Sequence, residues 1–440
     1  MPISPEIKKL IDSTPFIDTH EHLAEESDRL AGTISGPYAL PPIRDFSIFF
    51  TAYARYDLTS AGLPNTEVNR LYDLNLDLRD KWKIIAPFYE KSYNTGFMQN
   101  IRESIRILFQ EEDLREDNFR VISDKLNTLL KPGYYQRVIK DLSQIAYCQV
   151  NSLQNRVFLN TENPELLAQD MSFWHLSVDL RIEEISRQES LFVRHLKDWH
   201  RCIDHCFEKY AKKAIALKNQ AAYDRPLNFE KVSEQEASPY FDQYLRNPQK
   251  LEARGLKAIQ DHLFHYCLNK AREYRLPVKL HTGYLAGNGH MLLHPLRHHA
   301  GDVSELLKSY PDIDFVLMHI FYPYENEAIA LAKHFPNAYI DLCWAWIINP
   351  LVCVRFVKEF LSAAPANKLF TFGGDYMIAE LIPGHARMAR QGLTQAFSEL
   401  AGEGWLEKND LEKTIKRVMW QNAHKVFRYE DTLKYWKNVR

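Results

Sequence analysis

Nowhere does this 440-residue sequence hold an apolar run near the ~18 residues that a membrane span requires. The longest candidates, such as residues 46–54, are broken by polar side chains, so no membrane segment is expected. Cysteine is scarce: six residues, at 148, 202, 206, 267, 343 and 353, without the dense spacing of a secreted disulfide framework. A reducing cytoplasm is the expected setting. Residues 1–16 lack the basic start, apolar stretch and small-residue cleavage site of a signal peptide, so none is expected. An excess of charge is missing too. Lys and Arg total 55 against 57 Asp and Glu, a net charge of -2, so no basic field draws the chain to nucleic acid or anionic lipid. A small-molecule partner is the default.

Internal repeats, low-complexity tracts and linkers are also absent, so residues 1–440 are read as one domain. That length suits a (β/α)8 barrel enlarged by insertions. Cys202 and Cys206, with His200 and His205 close by, tempt as a zinc site, but no second ligand pair stands at finger spacing. A partly buried helix face is the better reading, because free cysteine is among the most buried residue types.

What is present is an alternation of strand-like and helix-like segments. A short apolar run at 16–22 breaks into polar residues at its C-terminal end. From about 23 to 140 the apolar residues recur at i, i+3 and i+4, which predicts a helical insertion after strand one, acting as a cap or as packing. Strands are expected at 144–150, 173–178 and 214–218. After a helix at 258–274, further strands are expected at 277–281, 315–319, 338–343 and 368–375, and a helix at 411–427 closes the chain. The fold class is therefore α/β, a (β/α)8 TIM barrel. In such a barrel, chemistry collects where the strands end.

His20 and His22 stand two apart at the end of strand one. Alternate strand residues share a face, so both can converge on one ion while Glu21 points away. With 17 histidines in the chain, one such pair is weak support. Its company strengthens it: His281, His319 and Asp375 each fall at the end of a separate expected strand. Histidine nitrogen and carboxylate oxygen suit divalent zinc, which lowers the pKa of a bound water to ~7 in well-characterised sites. The alternatives are ordinary ones: a core histidine for His281 or His319, and a helix N-cap for Asp375. Tyr284, Asn288 and His290 follow strand five in a Gly-rich loop and are candidate substrate contacts. Trp344 and Trp346 line a pocket or pack against a neighbouring subunit.

The segments Asp18-Thr-His-Glu-His22, His281-Thr-Gly-Tyr, His319 and Gly373-Gly-Asp375 resemble the amidohydrolase superfamily. Within it, the runs 217–224, 276–284, 318–323 and 339–342 look most like the branch with the nodulin-type domain fused to glutamine synthetase in some plants and fungi. The resemblance implies that His20, His22, His281 and Asp375 hold the metal, one zinc per chain or another divalent ion such as Mn2+ or Fe2+. It gives His319 a second ion or the polarisation of substrate, and lets Asp375 also accept a proton. Gly-Gly-Asp stands where Ser-Thr-Asp or Gly-Thr-Asp is more familiar. Lys218, at the fourth expected strand, is open to three readings: a carbamylated bridge between two metals, a substrate contact, or an ion pair. A homodimer is expected from the resemblance alone.

Three functions follow from this reading. The first is hydrolysis of a C–N or C–O bond in a small polar substrate, one carrying a carboxylate. The second keeps the metal but decarboxylates a small aromatic acid or isomerises a uronate, and Arg44, Arg55 or Arg225 at the mouth would favour it. The third is a non-catalytic barrel that binds a ligand.

Overall fold

A computed structural model describes residues 3–34 and 42–439. The chain forms two compact units. The first comprises Met1–Val150, Leu285–Met291 and Asp341–Ala423; the second comprises Asn151–Tyr284, Leu292–Ile340 and His424–Arg440.

In the first unit, β1 (Phe16–Glu21) pairs in parallel with β2 (Ile145–Val150). All six residues of β1 are buried, as expected of a parallel strand covered on both faces. The other edge of β1 lies along residues 372–376: Thr19 N donates to Phe372 O, Asp375 N to His20 O, and His22 N to Tyr376 O. Helices fill the expected insertion, including Ala54–Ser60, Leu78–Ser92, Gly96–Phe109 and Phe119–Leu129. Residues 35–41 of this stretch lie outside the described residues.

The second unit opens with the short strand β3 (Leu167–Gln169). It carries a parallel sheet in the order β4 (Met171–Ser172), β5 (Leu217–Asn219), β6 (Val278–Leu280), β7 (Phe315–Leu317) and β8 (Ala338–Asp341). The register is even: Leu217, Val278, Phe315 and Ala338 lie side by side. The carboxyl ends of these strands are therefore level, and His281 follows β6 directly. Lys279, central in β6, is fully buried. Its Nζ meets both carboxylate oxygens of Asp170, at 2.9 and 2.8 Å, which is how a buried charge is tolerated.

Three expectations need correction. Residues 174–177 form a helical turn, not a strand, with Ser177 Oγ bonded back to Phe173 O at 2.7 Å. A short apolar run does not by itself separate helix from strand. The closing helix is also interrupted, running Lys408–Lys416, then a π-helical turn Arg417–Gln421, then Asn422–Val426, and a further helix Tyr429–Val439 follows. The strand expected at 368–375 hydrogen-bonds regularly only over β9 (Leu369–Phe370), and Asp375 at its far end has a left-handed φ. Among the described residues, no helix is long and apolar enough to cross a membrane.

Candidate metal centre

In the first unit, His20 and His22 project from the end of β1 toward one atom, Oδ1 of Asp375. It lies 3.2 Å from His20 Nε2 and 3.1 Å from His22 Nε2. The three ligand atoms fall within 4.8 Å of one another. Burial alone would push the Asp375 carboxyl up, but the two imidazoles hold it well below the usual carboxylate range. Two ring nitrogens and an ionised carboxylate in a buried pocket form a donor set that fits a divalent cation.

The backbone at Asp375 is bent to suit. Its φ of 63° lies in the left-handed region that a non-glycine residue adopts only under constraint. The constraint comes from both sides. Asp375 N is tied to His20 O, and the Tyr53 hydroxyl donates to the Asp375 carbonyl at 2.5 Å. Glu21 packs behind, accepting the Tyr376 N–H at 2.5 Å. A Cβ on Gly374 would run into that Glu21 carboxylate, so the Gly-Gly-Asp departure noted in the sequence has a steric reason.

Asp18 completes the support, accepting N–H groups of His20 at 3.1 Å and Gly374 at 3.2 Å. Burial pushes Asp18 up to about 6. Burial also lifts Glu21 well above the carboxylate range, with the Asp18 charge beside it as a further cause. Two adjacent buried carboxyls are most stable with a proton between them. On the neighbouring segment, Asp341 accepts the Thr19 hydroxyl at 2.6 Å and the Cys343 N–H at 2.9 Å.

Tyr53, Asp18, Glu21 and Asp341 were not assigned roles from sequence. Tyr53 belongs to the insertion, whose aromatic density was its only signal. Its ring lies 4.5 Å from Trp344 and 5.4 Å from Tyr376. Both tryptophans of the Trp344-Ala-Trp346 stripe are fully buried within the chain, so neither forms a subunit surface. Trp346 donates to Thr371 O at 2.8 Å. Replacing Tyr53 by Phe keeps the ring and removes the hydrogen bond to the Asp375 residue. The expected result is about 1 kcal/mol of lost stability and roughly tenfold weaker metal binding, read by metal titration. A change below twofold would reduce Tyr53 to packing.

In the second unit, His281 and His319 come together, with His281 Nδ1 3.0 Å from His319 Nε2. His281 Nε2 lies 2.8 Å from the Tyr284 carbonyl. A carbonyl only accepts, so the proton sits on Nε2 and Nδ1 is the basic nitrogen. His319, Ile320 and Phe321 all have left-handed φ, at 62°, 50° and 56°. Thr282 Oγ1 donates to Met318 O at 2.5 Å. Gly283 lies so close to Phe321 that a Cβ would meet its backbone. The His-Thr-Gly run thus clamps the turn that carries His319.

The remaining candidates take different places. Lys218 is buried in β5, its Nζ 2.9 Å from Met318 Sδ. Tyr284 presents its carbonyl to His281 and its ring to Tyr322. Asn288 lies in the first unit, its amide donating to Tyr56 O and Ser60 Oγ, both at 3.1 Å, so it ties its loop to the helix Ala54–Ser60.

Residues 243–429 match the family model described as Amidohydrolase. Protein fluG of Emericella nidulans is 25% identical over 177 residues, covering 39% of this chain. The match spans only 20% of that relative's length. Among solved structures, glucuronate isomerase of Caulobacter crescentus is similar with a TM-score of 0.74 and 15% identity, over 96% of this chain and 93% of that one. Uronate isomerase of Thermotoga maritima gives 0.73 and 13%, over 97% and 98%. At these identities the likeness establishes the fold alone, the α/β barrel class with a helical insertion after β1 that the sequence predicts.

Proposed function

We propose, from the match of residues 243–429 to the Amidohydrolase family model, that this chain is a metal-dependent hydrolase cleaving a C–N or C–O bond of a small, carboxylate-bearing substrate. The observation that carries the reading is the convergence of His20 Nε2 and His22 Nε2 on one oxygen of the buried Asp375. In this reading His20, His22, His281 and Asp375 are the ligands, as the family pattern has them, for zinc or another divalent ion such as Mn2+ or Fe2+, one per chain. When bound, such an ion supplies Lewis acidity toward water or a substrate oxygen.

The chain's own groups have the following parts. The ionised Asp375 carboxylate accepts a proton at its carboxylate oxygens. The basic Nδ1 of His281 is held in that tautomer by the Tyr284 carbonyl. His319, whose Nε2 lies 3.0 Å from His281 Nδ1, is the group assigned to polarise the substrate. Lys218, Tyr284 and Asn288 are the proposed substrate contacts, although the Asn288 amide already serves its loop.

A second reading is isomerisation of a uronate. The likeness to two uronate isomerase structures over nearly the whole chain, insertion included, favours it. The arginines bear on this choice. Arg225 is neutralised by Asp261 at 2.6 Å, and Arg44 bonds the Leu30 carbonyl. Arg55 instead meets two tyrosine hydroxyls, Tyr72 at 2.9 Å and Tyr56 at 2.8 Å. It has no carboxylate partner among the described residues.

The test measures metal content of the purified protein, then turnover of amides, lactones and uronates by the metal-loaded form. About one ion per chain, with water consumed in the product, is the expected outcome. Aldose–ketose interconversion without hydrolysis would select the second reading. A protein that takes up no metal, even on refolding with it, would overturn both.

A further inference from the structure

A cavity of about 440 Å³ lies in the first unit, where β1 and β2 begin, and such a volume suits a small ligand. Its walls are the helix Ile382–Gly402, the helix Pro5–Ser13 and residues 142–144 just ahead of β2. On the first of these helices, Pro383, Arg387, Arg390 and Thr394 recur at helical spacing and all line the cavity. His20 and His22 stand at the other end of β1, about 20 Å away at the usual strand rise. The cavity is therefore separate from the metal centre.

Charge in the cavity is unbalanced. Lys8, Arg387 and Arg390 line it against a single carboxylate, Asp12, and Asp12 already bonds Lys8. Arg390 is only 9% exposed, and no carboxylate among the described residues pairs with it. Carbonyls fix its guanidinium instead: Nη1 donates to Ile11 O at 2.5 Å and Thr14 O at 2.8 Å, and Nη2 to Gln144 O at 3.3 Å. The group also lies 4.4 Å from the centre of the Phe16 ring. These contacts orient the fork without neutralising it. Burial pulls the Arg390 guanidinium down to about 10, with Asp12 opposing. One turn earlier, Arg387 is exposed and shares Glu103 with Arg106.

We propose that this cavity binds a small organic anion, its carboxylate pairing with Arg387 and Arg390 and its apolar part lying against Ile107, Leu142 and Pro383. A guanidinium held in a fixed orientation matches the planar carboxylate, and a buried cation without an acid partner gains most from one. The ligand would join the helix Ile382–Gly402 to the helix Pro5–Ser13. The site is independent of the His20, His22 and Asp375 centre and of the reaction proposed for it.

The test titrates the purified protein with benzoate by calorimetry, with benzyl alcohol as the uncharged probe of similar shape and inorganic phosphate as the bare anion. It compares the wild type, Arg387→Ala and His20→Ala/His22→Ala. Arg387 is the residue to change because it is exposed and Glu103 keeps Arg106 at 2.7 Å, whereas Arg390 carries the carbonyl contacts. The wild type is expected to bind benzoate and not benzyl alcohol. Arg387→Ala should bind it about tenfold more weakly, and the His20/His22 variant as tightly as the wild type. Hydrogen exchange of amides 8–14 and 386–394 should slow with benzoate in the wild type. Equal affinity in the wild type and Arg387→Ala would overturn the proposal, as would loss of binding in the His20/His22 variant. A protein that binds phosphate but not benzoate, or neither, would overturn it too.

Discussion

Substituting His20→Ala together with His22→Ala is expected to give a folded protein that keeps no metal at this centre and turns over at least about 10³-fold more slowly. The scale follows from what a positioned acid–base group alone contributes, roughly 10²–10⁴. It is a minimum, because the variant also strips the Asp375 carboxylate of both neighbours that keep it ionised. Asp375→Asn separates the two effects. It keeps the size of the side chain and its main-chain link to His20, but removes the charge. Its metal content should fall with its activity. A variant of either kind that retains full metal and full turnover would remove this centre from the mechanism.

The Gly374→Ala substitution should be almost as damaging, for a reason of space. The new methyl would enter the position of the Glu21 carboxylate, which is buried and bonded to Tyr376 N. Overpacking a tight interior costs about 1–3 kcal/mol. Here the displacement also passes to Asp375 on one side and to His20 and His22 on the other. Denaturant unfolding should report the loss of stability, and metal titration the loss of the centre. Adding Glu21→Ala should recover part of both, since it vacates the space, though it leaves the Tyr376 N–H without its acceptor at about 1–3 kcal/mol. The double variant is thus expected to be clearly non-additive. Additive losses would show that the clash with Glu21 is not the cause.

The candidate metal-binding pair was legible because strand geometry is short-ranged. Two residues apart on a strand means one face, so His20 and His22 could be paired without knowing the fold. The strand ends carrying His281, His319 and Asp375 were found by the same local logic, since apolar runs of four or five residues stop at polar ones. Where local logic is ambiguous it misled. Residues 173–178 are apolar enough for either state, and the fold makes 174–177 helical. For the loop residue Asn288, expected as a substrate contact because it follows a strand end, the structure adds an amide bond to the insertion that no local pattern shows.

Tyr53 shows what no periodicity contains. It lies 322 positions from Asp375, and only the folded chain brings its hydroxyl to that carbonyl. The same holds for Gly374, whose lack of a side chain has meaning only beside Glu21. The alternation of apolar runs predicted the α/β barrel, and the spacing of histidines at strand ends singled out the candidate residues. They could do so because burial and strand periodicity act between near neighbours. The tertiary structure decided which groups hold those side chains in place and which glycine cannot change. Those are contacts between segments hundreds of residues apart, set by packing rather than by pattern.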